Sequence, residues 1–204
     1  MRQVFAAFFS IATLLVLPAA AASLKVPRPS GITLLLKFEE PHSALTIEEM
    51  KREVAVIMKD TGIQFDFRML NEVGRTESFP DLVVVSFKGK CQMETMPPIS
   101  PGMIDERGPL AFTHTSDGEV LPFSEVACDR IRGSVSSALW GGDHKRADLL
   151  LGRALGRVVA HELYHIVANT GQHASKGVAQ TSLSGAQLIS DHLVLNESDV
   201  DKFR

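Results

Sequence analysis

Three residues in one pentapeptide could do chemistry in this 204-residue chain: His161, Glu162 and His165, in His161-Glu162-Leu163-Tyr164-His165. On a helix, positions i and i+4 share a face. His161 and His165 can therefore bring two imidazole nitrogens to one point, as tetrahedral zinc requires. Glu162 projects about 100° around the helix axis from His161. A carboxylate there can reach the metal's water without itself becoming a ligand. The cofactor expected from this spacing is Zn2+, and the role expected for Glu162 is general base. Two histidines make a weak site, because zinc enzymes use three protein ligands and leave the fourth position to water. His173 is the leading third ligand, since Gly171 is suited to a left-handed turn that would send the chain back toward the helix. Glu197, on a later segment, is the alternative, and Asp191 and His192 are the remaining options. His42, His114 and His144 have no metal-like spacing; His114, beside a turn, could line a cleft but reads more simply as a solvated hairpin histidine. Tyr164 is the only tyrosine and is expected to pack or orient within the motif.

The element that must hold these groups is the apolar run from Ala147 to Asn169. Its leucines, valines and alanines cover so broad a surface that the helix must be buried on more than one side. Gly152 and Gly156, four apart, allow a close neighbour, expected to be the sheet. Upstream, Gly31 to Phe38 reads as a buried strand and Ile63 to Leu70 as a half-buried one. Asp81 to Lys88 is β-branched and reads as a third strand. Between the first two lies a helix capped by Ser43 or by a Thr46-Ile47-Glu48-Glu49 box and ended by Gly62. Residues 89–109, rich in proline and glycine, form a long irregular loop that could wall a cleft. Leu110 to Thr115 and Val120 to Val126 flank Ser116-Asp117-Gly118-Glu119 as a hairpin. A helix follows from Asp129 to about Leu139, and Asp143 is a plausible cap for the central helix. Short helices are expected over Ser182–Ser190 and Glu197–Phe203. The order gives an α+β fold: a mixed, twisted sheet of four to five strands with a central buried helix.

Residues 1–22 carry Arg2, an apolar stretch from Val4 to Leu17, Pro18, and Ala20-Ala21-Ala22, the layout of a secretory signal peptide. Residues 23–204 are then one domain. Cys91 and Cys128 are an even pair in an exported chain and read as one disulfide. It would close a loop of roughly 40 residues, worth about 3–4 kcal/mol in chain entropy. The destination is the periplasm or the medium. The formal net charge is −3 and no Lys/Arg stripe appears, which argues against nucleic acid and anionic membrane surfaces as partners.

The run from Leu155 to His165, followed by His173, resembles the zincin metallopeptidases, and most of all small exported bacterial zincin-like proteins. The metzincin clan shares the logic as H-E-x-x-H-x-x-G-x-x-H with a later methionine turn. This chain has Ala168 at the glycine, Gly171 at the third histidine, and Gly177-Val178-Ala179 where the methionine turn would fall. The resemblance implies a zincin-like fold and a monomeric zinc metallopeptidase acting on a peptide or protein substrate, which pairs with a sheet edge near residues 110–115. The alternative is a zinc-binding module of the same fold without hydrolytic activity.

Overall fold

The computed structural model describes residues 31–93, 108–139 and 146–203. The signal peptide, most of the 89–109 loop, Asp143 and His144 lie outside the described residues. Among the described residues, five strands and five α-helices run in the order β1 (Gly31–Phe38), α1 (Ala44–Met58), β2 (Gln64–Met69), β3 (Leu82–Lys88), β4 (Ala111–Ser116), β5 (Glu119–Ala127), α2 (Cys128–Ala138), α3 (Ala147–Val167), α4 (Gly185–Ile189) and α5 (Glu197–Val200). The strands form one sheet in the order β2-β1-β3-β5-β4. β1 pairs in parallel with β2 and β3, and β3 in parallel with β5, while β4 turns back antiparallel on β5. The fold is α+β with a mixed five-stranded sheet, and β4 is one of its two edges. The β4–β5 turn places Asp117 at φ 50° and Gly118 at φ 84°, the paired positive values of a type I′ hairpin.

Alternation decides which face of the sheet is buried. Ile32, Leu34 and Leu36 of β1 and Val83, Val85 and Phe87 of β3 are all buried and share the core with Met50, Val54 and Ile57 of α1. Helix α3 completes that core through Leu151, Ala154, Leu155, Val158 and Val159, so its burial on several sides follows the breadth of its apolar surface.

Long-range packing decides one local reading of the sequence and corrects another. Ser43 is the N-cap of α1 and accepts from the Thr46 amide at 3.5 Å. Thr46 lies inside the helix and donates its hydroxyl to the Asp148 carbonyl at 3.1 Å, so the Thr46–Glu49 box is not the cap. The glycine pair of α3 seats a helix, not the sheet. A Cβ on Gly152 would lie 2.5 Å from the Thr46 carbonyl oxygen, and one on Gly156 would lie 2.6 Å from the Glu53 Cβ. Beside this crossing, Arg157, 1% exposed, donates to Glu53 at 2.8 Å and to the Ser190 carbonyl at 2.7 Å. One guanidinium thus ties α3 to α1 and to the chain following α4. Helix α3 itself begins after Arg146, with no side-chain cap bond.

Cys91 and Cys128 form a disulfide that joins the chain just after β3 to the first residue of α2, with both cysteines fully buried. Among the described residues, no helix is long and apolar enough to cross a membrane.

Candidate metal centre

His161, Glu162 and His165 occupy the last two turns of α3, as their spacing requires. The helix ends at Val167, and Ala168 still has helical torsions. The reversal comes at Asn169, φ 46°, and not at Gly171, which is absent from the left-handed region. Asparagine is one of the few non-glycine residues that tolerates this conformation. The turn falls at Asn169, and the histidine that comes back to the helix is His173.

The structure brings His161, His165 and His173 together, with one ligating atom from each within 4.8 Å of the others. The ring centroids of His161 and His165 lie 5.1 and 4.7 Å from that of His173. Glu197, Asp191 and His192 are not part of this group. Asp191 instead pairs with Arg153 at 3.0 Å, and Glu197 and His192 are exposed.

Both helix histidines have their outer nitrogen committed. His161 Nδ1 lies 2.8 Å from the Val178 carbonyl oxygen, and His165 Nδ1 lies 2.7 Å from that of Thr170. A carbonyl oxygen only accepts, so each Nδ1 carries the proton and each neutral ring turns an Nε2 lone pair inward. The two Nε2 atoms are 3.0 Å apart. Two lone pairs at that distance repel unless a cation lies between them, and tetrahedral zinc at about 2.0–2.1 Å from each nitrogen would hold them about 3.3 Å apart. The donor set therefore fits zinc. Burial holds His161 down at about 4, against the carbonyl bond that favours its cation, and holds His165 below the usual imidazole range as well. Both rings are neutral, ligand-ready bases at physiological pH.

The carbonyl that holds His161 comes from the segment where a methionine turn would fall. Val178 and Ala179 are fully buried, and the Val178 amide donates to the Val194 carbonyl at 3.0 Å. Gly177, at φ 79°, lets that backbone close, since a Cβ there would lie 2.6 Å from the Val194 oxygen. The chain lacks the methionine and keeps a buried turn that orients His161.

Glu162 is 5% exposed, and burial pushes its carboxyl up to about 7, although the Thr113 hydroxyl works the other way. That hydroxyl donates to Glu162 Oε2 at 2.7 Å, and Ser124 Oγ lies 2.9 Å behind it. Neither Thr113 nor Ser124 was singled out from the sequence. The signal available was the alternation of β4, which turns Thr113 toward the helices and its neighbours away. His114 accordingly sits on the outer face of β4, against the Phe112 ring and 3.3 Å from Glu125, not in the cleft. Tyr164 is fully buried inside α3 and packs on His165 and on Phe203, while the Lys202 ammonium donates to its hydroxyl. It is a packing residue that fastens the C-terminal segment to the helix.

No family model matches the chain, and no curated protein matches it. Among solved structures, the chain is similar to the crystal structure of an archaemetzincin from Methanopyrus kandleri, with a TM-score of 0.51 over 87% of this chain and 96% of that one, at 12% identity. At that identity the likeness shows the fold, which is zincin-like.

Proposed function

We propose that the protein is an exported zinc-dependent metallopeptidase that hydrolyses peptide bonds, with His161, His165 and His173 as zinc ligands and Glu162 as general base. The observation that carries this reading is the inward pair of Nε2 lone pairs, 3.0 Å apart, with both Nδ1 atoms committed to carbonyls. A zincin-like fold, similar to that of an archaemetzincin, supports it. Zinc, when bound, lowers the pKa of its water toward about 7 and polarises the scissile carbonyl. Among the described residues the cluster holds three histidines and no fourth ligand, the composition of an open site and not of a closed structural one. Glu162, set beside the first ligand and not in the cluster, takes the proton of the attacking water and returns it to the leaving amine. Among the described residues β4 is an edge of the sheet, along which an extended peptide can lie as a sixth strand. The Cys91–Cys128 disulfide supports an oxidising destination, secreted or periplasmic.

Glu162→Gln tests the reading. Zinc content should stay at the wild-type level while hydrolysis of a quenched-fluorescent peptide mixture falls by at least about 10²-fold. A variant that keeps both zinc and wild-type turnover would remove Glu162 from the mechanism.

A further inference from the structure

A carboxylate that acts as base must present one particular oxygen to the water, and a glutamate side chain has three rotatable bonds with which to miss. Helix α3 fixes the Cα of Glu162 but not its carboxylate. What fixes the carboxylate comes from the sheet. Among the described residues, the one donor to Glu162 is the Thr113 hydroxyl, on β4, and its bond goes to Oε2 at 2.7 Å. In the hydrolase reading, Oε1 is then the oxygen that meets the attacking water.

The same hydroxyl is also held from behind. Thr113 and Ser124 are directly paired across the β4–β5 ladder, and their oxygens are 2.9 Å apart. A threonine hydroxyl has a single proton. Given to the carboxylate, it leaves Thr113 Oγ1 only as an acceptor from Ser124, so the chain of donation runs Ser124 to Thr113 to Glu162. Ser124 is 2% exposed, which shields this anchor from competing water. Thr113 is β-branched and so restricted at χ1, and its hydroxyl is held at both ends.

We propose that Thr113, braced by Ser124, is the positioning residue that aims the Glu162 carboxylate, and that it couples the base to peptide seating because it lies on the edge strand. This rests on the hydrolase reading above. A peptide that pairs with β4 straightens and stiffens the strand that carries Thr113, so correct seating of the substrate and correct aim of the base become one event. A peptide bound elsewhere at the cleft leaves the aim unimproved. Such coupling favours extended chains long enough to pair on both sides of Thr113 over dipeptides and other short amides.

The test compares wild type, Thr113→Val, Thr113→Ser and Glu162→Gln as full-length, zinc-loaded protein. Valine keeps the shape and strand preference of threonine and removes only the donor, while serine restores the donor. With quenched-fluorescent peptides of eight or more residues (a length chosen to span roughly 25 Å of edge), Thr113→Val should lose about 10–100-fold in kcat with KM changed less than about threefold. Thr113→Ser should return to within about fivefold of wild type. Zinc content should not move in any of them. Crystal structures of the zinc-loaded Thr113→Val and Thr113→Ser proteins supply the readout that needs no turnover. The Glu162 carboxylate should leave its wild-type position in the first and keep it in the second. Wild-type kcat in Thr113→Val, with Glu162→Gln inactive, would overturn the proposal and leave the hydrolase reading standing. If wild type itself hydrolyses nothing, the hydrolase reading fails, and a Glu162 carboxylate that stays in place in Thr113→Val overturns the positioning role independently.

Discussion

The ring nitrogens of His161 and His165 and the carboxylate of Glu162 are buried for opposite electrostatic ends. Burial disfavours whichever form is charged, so His161 is held down at about 4 from 6.5 while Glu162 is pushed up to about 7 from 4.5. These shifts set how the metal-free protein responds to acid. Between about pH 4 and 6.5 the unfolded chain holds the extra proton at His161, so that group makes folding more favourable as pH rises, and His165 adds to it. Between about pH 4.5 and 7 the folded chain holds the extra proton at Glu162, so that group makes folding less favourable as pH rises. The two slopes oppose each other over nearly one window, and metal-free wild type should show a shallow dependence there. Glu162→Gln removes the second slope alone. In chelator, the variant should gain stability steadily from pH 4.5 to 6.5, and its stability relative to wild type should rise by about 3 kcal/mol between pH 4.5 and 8. Denaturant titrations at several pH values measure this, and equal slopes for the two proteins would contradict it.

Helix α3 is useful because α1 and the sheet hold it from several directions, and its fit against α1 is unforgiving. Gly152→Ala would gain about 1 kcal/mol from helix propensity alone. The added methyl, however, would stand 2.5 Å from the Thr46 carbonyl oxygen, a backbone atom that cannot move alone. We expect the substitution to destabilise by about 1–3 kcal/mol in denaturant unfolding, and a gain in stability would refute the crossing. The same helix shows what a sequence discloses. The i, i+4 histidines, the adjacent carboxylate and the length of α3 were legible because helical geometry makes them local facts. The strands and the hairpin turn at Asp117-Gly118 were legible for the same reason. The partner of Gly152 and Gly156 was not, since a small residue announces a close approach without naming what approaches. Ser43 and Thr46 were equivalent as caps until Asp148, about a hundred residues away, took the Thr46 hydroxyl. Thr113 was hidden in a strand for want of any local feature that distinguishes a hydroxyl facing a carboxylate from one facing solvent.

Across the whole molecule, the candidate site draws its histidines from α3 and the 169–178 return that follows it, and the partner of Glu162 from the edge hairpin, far earlier in the sequence. The Cys91–Cys128 bond fastens the chain after β3 to α2, and neither cysteine belongs to the histidine group. Replacing both cysteines with alanine should therefore cost about 3–4 kcal/mol of stability and leave zinc stoichiometry unchanged, as unfolding curves and metal analysis on the same samples would show. Loss of zinc on reduction would mean that the disulfide sets the ligand geometry. The C-terminal segment fastens the other end, with Phe203 and Lys202 on Tyr164. Everything functional here depends on three histidines from two separate segments acting as one metal site. The most direct measurement is zinc stoichiometry of the purified chain beside His173→Ala at equal free zinc near the wild-type dissociation constant. The account predicts one zinc per chain at saturation for wild type and a loss of affinity of about a hundredfold or more in the variant. Equal zinc binding by the two proteins would contradict it.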